Sequence, residues 1–230
     1  MSHFDLLKFK LSDEEILENY SKLREIINTK LSNDLFPDRI EKLNKLYDAY
    51  EENTDALLSP ASSVEHFHNC FPGGYIDHIL RVVDFALKEY KIWALQGLDV
   101  DNFTEEEVVF AALHHDLGKL GHVRPGCCVY VPNDSEWHVK NQGQFYKTNT
   151  DNNYSTVPDA SLNILQLNGV QCTENEWYAI KLHDGLYDDA NKPYFMGYSG
   201  ARFRSNLPLI LHTADNKAAR WEYQRWSKYK

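Results

Sequence analysis

Apolar positions recur every three or four residues along most of this chain, which is the spacing of helices that bury one face. Ser12 and Glu15 form a capping box ahead of the first such stretch. Pro37, a residue suited to the first turn of a helix, begins the second. Neither stretch carries a cluster of catalytic side chains, so we expect residues 1–60 to form a helical extension packed on the rest of the chain.

The longest apolar repeat predicts a helix from about residue 75 to 93, directly after the turn Pro72-Gly73-Gly74. A capping box of Thr104 and Glu107 opens the next predicted helix, which Gly118 ends. Three further helices are predicted at about residues 160–167, 174–182 and 206–226.

Residues 121–158 interrupt the helical pattern. They are rich in Gly, Asn, Pro and aromatic residues, with one short β-like run at 127–131. Long irregular segments in compact domains are often functional. We therefore predict a single all-α domain over residues 1–230, with a core at 70–226 and an irregular insertion that contains a short β-hairpin.

Composition and charge narrow the class of protein. Of the 230 residues, 43% are hydrophobic and 25% charged, which suffices for a buried core without disulfides or a structural metal. The formal net charge of −10 disfavours broad binding to duplex DNA. No apolar stretch approaches the roughly 20 residues of a membrane span. The four cysteines lack disulfide or zinc spacing, so we expect reduced thiols in a cytoplasmic protein without a membrane partner.

Four of the predicted helices each offer an imidazole or a carboxylate. These residues are His78, His115, Asp116, His183, His212 and Asp215. Helical proteins build internal metal sites from side chains on facing helices. Nitrogen and oxygen donors without thiolate suit Mn, Fe, Co, Ni, Zn or Mg. The sequence therefore predicts a site for one or two divalent cations.

The tandem pair His115-Asp116 sets a geometric condition on that site. Neighbours on a helix point about 100° apart, so both reach one metal only if the helix frays there, which Gly118 allows. The two oxygens of the Asp116 carboxylate can bridge two cations. This arrangement favours a binuclear centre.

The ordered set His78, His115-Asp116 and Asp215 resembles the signature of the HD-domain metal-dependent phosphohydrolases. The local strings PGGYIDH at 72–78, LHHDLGK at 113–119 and LILHTADNKAAR at 209–220 are similar as well. The resemblance covers roughly residues 70–220 and fits least in the insertion. It implies an HD-domain helical bundle in which these four residues hold one metal.

Members of that family with two metals add two histidines between the HD pair and the last aspartate. His183 and His212 match this arrangement, with Asp116 as the bridge. The segment between Lys119 and His183 does not align with the family, so the sequence leaves open that His122 or His138 replaces one of these ligands.

The resemblance implies a hydrolase that cleaves a phosphoester or phosphoanhydride bond with metal-activated water. A nucleotide is the expected substrate, and many such hydrolases are homo-oligomers. One alternative is a 3′-end exonuclease or phosphodiesterase acting on single-stranded RNA or DNA. The alternative from a different class is a catalytically silent metal-binding regulatory protein.

Charged residues near the motifs are candidates for supporting roles. Lys119, beside the metal pair, is expected to act in catalysis with Asp116 and to contact phosphate, and Arg81 lies one turn after His78. Asp77 or Asp184 is expected to act as a general base or to hold an imidazole ligand. The weaker candidates for phosphate contacts are Lys147, Arg202, Arg204 and Lys217.

Aromatic residues of the insertion and of loop 184–205 are candidates for stacking a base, although packing is the commoner role of such residues. They are Tyr130, Trp137, Phe145, Tyr146, Tyr187, Tyr194, Phe195 and Tyr198. We expect His66 and His68, ahead of the Pro-Gly-Gly turn, to be exposed loop residues, and His114 to pack or form a hydrogen bond.

Overall fold

A computed structural model describes residues 3–52, 54–197 and 204–229, and the chain is mostly helical, as the apolar pattern predicts. The α-helices are α1 (Asp13–Lys30), α2 (Arg39–Glu52), α3 (Thr54–Leu57), α4 (Gly74–Leu95), α5 (Glu105–His114), α6 (Glu136–Gln142), α7 (Val157–Leu167), α8 (Glu174–Leu182), α9 (Lys192–Met196) and α10 (Leu207–Ser227). Short 3-10 helices lie at His3–Leu6, Leu117–Leu120, Gly185–Tyr187 and Asp189–Asn191.

The helix starts follow the capping residues in most cases. The side chains of Ser12 and Thr104 accept backbone hydrogen bonds at the starts of α1 and α5, as predicted. The predicted start of α2 at Pro37 is wrong, because Asp38 adopts a left-handed conformation with φ of 63°. Helix α2 begins at Arg39, two residues after Pro37, and the Asn33 side chain accepts a hydrogen bond from the Ile40 amide at 3.0 Å.

Helix α4 occupies the centre of the fold. It packs against α10, α5 and α1, while α8 packs against both α5 and α10. Leu23 and Ile27 of α1 and Leu43 of α2 belong to the same buried apolar cluster as Ile79 of α4 and Leu211 of α10. The first two helices therefore share one continuous core with the helices that carry the predicted ligands.

The insertion contains the expected hairpin, in which β1 (Tyr130–Pro132) pairs antiparallel with β2 (Tyr146–Thr148). The first strand begins three residues later than the β-like run at 127–131 suggested. Helix α6 connects the two strands and was not predicted, because seven residues hold too little periodicity to identify it. A second, smaller apolar cluster lies between this hairpin and the N-terminal segment.

None of the described helices combines the length and the apolar character that crossing a bilayer requires. None of the four cysteines forms a disulfide bond with another described residue.

Candidate metal centre

Five side chains from four helices converge in the interior of the fold. His78 lies near the start of α4, His115-Asp116 directly follows α5, His183 directly follows α8, and Asp215 lies in α10. All except Asp215 are buried. Their ligand atoms form two overlapping groups, each within 4.8 Å, of which one joins His78, His115 and Asp116 and the other joins His115, His183 and Asp215. Buried imidazoles and carboxylates in groups of this size can hold a metal ion.

The Asp116 carboxylate lies between the imidazoles. Its Oδ2 is 3.6 Å from the Nε2 atoms of both His78 and His115, and its Oδ1 is 3.6 Å from His183 Nε2. Asp215 Oδ1 approaches His78 Nε2 to 3.1 Å. The two oxygens of Asp116 therefore face different sets of histidines.

The ends of α5 and α8 orient two of these histidines in the same way. His115 Nδ1 donates to the Ala112 carbonyl at 2.9 Å, and His183 Nδ1 donates to the Ile180 carbonyl at 2.8 Å. Each carbonyl lies in the last helical turn, where no backbone amide is available to it. A carbonyl only accepts, so Nδ1 of each ring carries a proton and Nε2 is the nitrogen that faces the centre.

An unpaired nitrogen atom and the kinds of donor present indicate whether a cation fits this centre. The Nε2 atom of His115 is buried and has no hydrogen-bond partner within the described part of the chain, whereas His78 Nε2 meets the Asp215 carboxylate at 3.1 Å. A buried polar atom without a partner costs about 1–3 kcal/mol. The remaining donors are carboxylates and imidazole, without thiolate, which is the donor set of Mn, Fe, Co, Ni, Zn or Mg. The residues therefore fit a divalent cation.

The backbone after α5 lets the tandem pair face one point. The helix ends at His114, His115 keeps helical dihedral angles, and Asp116 departs from them with φ of −103° and ψ of 10°. A 3-10 turn over Leu117–Leu120 follows. The change at Asp116 turns its carboxylate away from the direction that a continuing helix would impose.

Gly118 lies in this 3-10 turn and is not one of the described glycines with a positive φ. A Cβ atom there would lie 2.4 Å from the Val157 carbonyl oxygen and 2.8 Å from Ala160 Cβ, so the glycine permits close packing of α7. Its amide donates to Ser161 Oγ at 2.8 Å, and that hydroxyl lies 2.9 Å from the His115 carbonyl oxygen. Helix α7 thereby holds the turn that carries the tandem pair.

A buried carboxylate, Glu222 of α10, supports His78 from behind. Its two oxygens lie 3.1 and 3.2 Å from His78 Nδ1. Arg81 donates to the same carboxylate and lies over the Trp221 indole. Sequence reasoning missed Glu222, although it lies seven residues after Asp215 and therefore two turns along the same helix face.

This arrangement corrects the roles expected of two other residues. Asp77 is held by Arg81 at 3.0 Å and by Arg225 at 2.7 Å, so Glu222 rather than Asp77 orients His78. The Arg81 guanidinium is engaged by carboxylates and an indole, which leaves it poorly placed to contact a substrate. Asp184 lies 3.6 Å from His183 Nε2, the nitrogen that faces the centre, while the Ile180 carbonyl holds Nδ1. Asp184 therefore does not orient this ring, and its role as a general base stays a prediction.

The imidazoles differ in their protonation. Burial alone would lower the pKa of His78, but the Glu222 and Asp215 carboxylates together outweigh it and raise that pKa to about 10. Burial also opposes protonation of His183, where Asp116 raises the pKa to about 9. For His115 burial prevails and lowers the pKa to about 4. His78 and His183 therefore carry protons that a metal ion must displace.

The carboxylates of the centre are ionised. Burial alone would raise the pKa of Asp116, but the Lys119 ammonium and the neighbouring imidazoles hold that pKa well below its usual range. The pKa of Asp215 is likewise lowered against the effect of burial, chiefly by His78. Lys119 Nζ lies 2.6 Å from Asp116 Oδ2, and its side chain is 12% exposed. Lys119 is thus an integral member of the centre and not a solvated cation at a helix end.

An open cleft of about 750 Å³ borders this centre, although none of the five converging side chains lines it. Lys119 and His68 lie in its wall, next to the buried ligands, and Arg220 adds a second cation. Its aromatic lining consists of Phe67, Tyr130, Tyr187 and Tyr223. The volume falls within the roughly 300–1,000 Å³ of small-molecule sites.

His212 lies beside the centre but outside the compact ligand groups. Its Nδ1 donates to the His183 carbonyl at 2.7 Å, and its ring packs against Gly185. A Cβ atom on Gly185 would lie 2.6 Å from the His212 ring. The imidazole is therefore held in place next to His183, and its predicted role as a ligand rests on the resemblance alone.

The other cationic candidates lie apart from the centre. Lys147 pairs with Asp134 at 2.9 Å on the hairpin, and Lys217 pairs with Glu89. Arg204 is exposed. Arg202 and Tyr198 lie outside the described residues.

The aromatic candidates fall into two groups. Phe145 and Tyr146 are buried in the small apolar cluster, so they have the packing role, the commoner of the two expected from the sequence. Tyr130 and Tyr187 line the cleft. Trp137 is exposed on α6, and Tyr194 packs near Tyr178 at a ring distance of 6.2 Å. Phe195 lies in α9, outside the residues that line the cleft.

The remaining histidines do not belong to the group of converging ligands. His66 is exposed as predicted, but His68 is half-buried, with its ring centroid 5.0 Å from that of His78. His114 is buried and bonds the Phe110 carbonyl at 2.7 Å, as expected. His122 is exposed and His138 bonds Ser135, and neither belongs to the ligand groups found among the described residues.

Comparisons with models of known protein families, with curated proteins and with solved structures give no match. The functional interpretation therefore depends on the chemistry of the centre and its cleft.

Proposed function

We propose that this protein is a metal-dependent phosphohydrolase that cleaves a phosphoester or phosphoanhydride bond of a nucleotide. The observation that carries the proposal is the convergence of imidazole Nε2 atoms and carboxylates beside an open cleft that Lys119 and His68 line. Hydrolysis of phosphate compounds needs neutralisation of charge more than covalent help from the protein. A cation held beside a cleft meets that need.

His78, His115, Asp116 and Asp215 are the residues that hold the first cation, and Asp116 with His183 holds a second. The second cation is supported by the two Asp116 oxygens, which face different histidines at 3.6 Å. A divalent cation supplies Lewis acidity to a phosphoryl oxygen and acidifies water near neutral pH.

Residues of the cleft supply the rest of the chemistry. Lys119 places an ammonium beside Asp116, and Arg220 adds a guanidinium, so phosphate oxygens meet positive charge on entry. Tyr130 and Tyr187 offer ring faces to a base. The combination of cations and aromatic rings favours a nucleotide over a simple phosphate ester.

The first test combines metal content with a screen for phosphate release. Protein stripped of metal and reloaded with Mn²⁺, Fe²⁺, Co²⁺, Ni²⁺, Zn²⁺ or Mg²⁺ is assayed on deoxynucleoside triphosphates, nucleoside monophosphates, cyclic nucleotides and short oligonucleotides. We expect turnover of a mononucleotide or cyclic nucleotide. Release from oligonucleotide 3′ ends would instead identify an exonuclease, and stoichiometric metal without turnover would identify a regulatory protein.

Two variants test the roles of the ligands. Asp116→Ala is expected to remove both metal and activity because it removes the shared carboxylate, and full metal occupancy would contradict the bridging role. His183→Ala is expected to lower the stoichiometry from about two ions to about one. The matched control is Asp189→Ala, an exposed carboxylate paired with Lys192, which is expected to change neither quantity.

A further inference from the structure

One histidine that the predicted ligand set does not include lies against the metal centre. His68 belongs to the loop between α3 and α4, and its ring centroid is 5.0 Å from that of His78. It lines the cleft together with Lys119. Its Nε2 atom has almost no contact with solvent and no hydrogen-bond partner among the residues that the structure describes. The fold therefore leaves a polar atom without a partner at the boundary between cleft and centre.

The loop holds His68 in this position by specific bonds. The Ser62 hydroxyl donates to the His68 carbonyl at 2.6 Å. Asn69 adopts a left-handed conformation with φ of 44°, which is strained for a residue other than glycine. Arg225 and Asp77 hold the Asn69 side chain at 2.8 Å each. A conformation that needs this much support indicates that the position of the imidazole is specified.

A role as a metal ligand does not explain His68. Its ligand atom does lie within 4.8 Å of one on His78 and one on Glu222. However, Glu222 is already bonded to His78 Nδ1 and to Arg81. A cation placed there would displace these bonds and lie beside the Arg81 guanidinium, which repels it.

We propose that His68 is a substrate-binding residue of this centre, whose Nε2–H donates a hydrogen bond to an oxygen of the phosphoryl group that enters from the cleft. The inference rests on the proposed function, because it requires a phosphate-bearing ligand at the metal centre. It explains the unpaired Nε2, since the missing partner is an atom of the ligand. It also explains why the strained loop is anchored to Asp77 and Arg225, which lie next to the supports of His78.

The experiment measures the affinity of the metal-loaded protein for inorganic phosphate by calorimetry. His68→Ala is expected to weaken phosphate binding by about tenfold or more, the effect of losing one hydrogen bond to a charged group. Metal content and affinity are expected to stay unchanged. His68→Gln, which keeps an amide donor near the position of Nε2, is expected to recover much of the affinity. The matched control is His122→Ala, an exposed histidine, which is expected to bind phosphate like the wild type.

The outcomes separate this inference from the proposed function. Phosphate affinity within twofold of wild type in His68→Ala would overturn the inference, and so would loss of metal in that variant or a wild type that binds no phosphate. If the wild type binds phosphate through His68 but hydrolyses none of the nucleotides, the proposed function fails and this assignment stands. If it hydrolyses a nucleotide and His68→Ala turns over at the wild-type rate with unchanged phosphate affinity, the proposed function stands and this assignment fails.

Discussion

Each imidazole of the centre gives its two nitrogen atoms different tasks. Nδ1 bonds a protein acceptor, which is a backbone carbonyl for His115 and His183 and the Glu222 carboxylate for His78. Nε2 is the nitrogen that faces the metal centre. The Nδ1 acceptor alone does not set the charge, because His115 and His183 both bond carbonyls. Of these two, only His183 has a raised pKa, because the Asp116 carboxylate stabilises its protonated form.

The raised pKa values of His78 and His183 predict how metal binding depends on pH. In the metal-free protein, their pairing with carboxylates contributes stability that is fully present below the ordinary value of 6.5 and is lost as the pH rises through about 9 and about 10. A cation must displace both protons, so it binds more tightly at higher pH. We expect added Mn²⁺ to raise the Tm more at about pH 8.5 than at about pH 6. Equal shifts at both pH values, measured by differential scanning fluorimetry, would contradict this prediction.

The Glu222 carboxylate is expected to matter for metal affinity although it does not face the centre. Glu222→Gln keeps the shape of the side chain but removes the charge that orients His78 and increases its basicity. Loss of such an outer partner typically lowers metal affinity by about 10–100-fold. Competition with a chelator measures the change, and Glu136→Gln on exposed α6 is the control. An unchanged affinity would show that Arg81 and Glu222 serve packing alone.

The sequence identifies the residues that face the centre better than those that support it. Five residues that face the centre are recognisable because their side chains are chemically unusual on apolar helices. They are His78, His115, Asp116, His183 and Asp215. Glu222 and His68 are not recognisable, because a glutamate on a terminal helix and a histidine in a loop are common on surfaces. The packing of α10 on α4 brings Glu222 next to His78, and the fold of the loop before α4 brings His68 there.

At the scale of elements, the ends of helices are the positions that carry chemistry. Capping boxes define the starts of α1, α5 and α8, so these helices could be predicted closely. Helices α6 and α9 could not, since seven and five residues show no clear period. The turn after α5 also depends on contacts with α7 that no local pattern encodes.

The variant Gly118→Ala tests how the turn after α5 contributes to stability and to metal binding. The added methyl group would lie 2.4 Å from the Val157 carbonyl oxygen, so α7 or the turn must move. We expect a loss of about 1–3 kcal/mol of stability and weaker metal binding, because the turn carries His115 and Asp116. Gly97→Ala is the control: its left-handed φ of 76° makes alanine strained, but a Cβ there meets open space and no ligand is near. That control is expected to lose stability without losing metal affinity, whereas equal metal binding in both variants would contradict the argument.

At the scale of the whole molecule, the N-terminal helices are tied to the core by a buried ion pair. Arg39 of α2 donates to Glu176 of α8 at 2.7 Å, and its guanidinium lies 3.6 Å from the ring centroid of Phe110 in α5. Both charged side chains are fully buried. The pair therefore joins the first two helices to the two helices that end at the metal ligands.

Arg39→Met is expected to destabilise the whole protein by about 3 kcal/mol, because it leaves Glu176 buried without its partner. Burial raises the pKa of Glu176 to about 7 even though Arg39 opposes the shift, so removing Arg39 raises that pKa further above its ordinary value of 4.5. A carboxyl group whose pKa is raised by folding loses stability as the pH increases through the interval between the two values. The variant should therefore lose more of the free energy of unfolding at about pH 8 than at about pH 5, as measured by urea denaturation. Lys45→Met removes an exposed cation of the same helix and is expected to change stability by less than about 0.5 kcal/mol. If Arg39→Met loses the same free energy of unfolding at both pH values, ionisation of the buried Glu176 is not the cause of the loss.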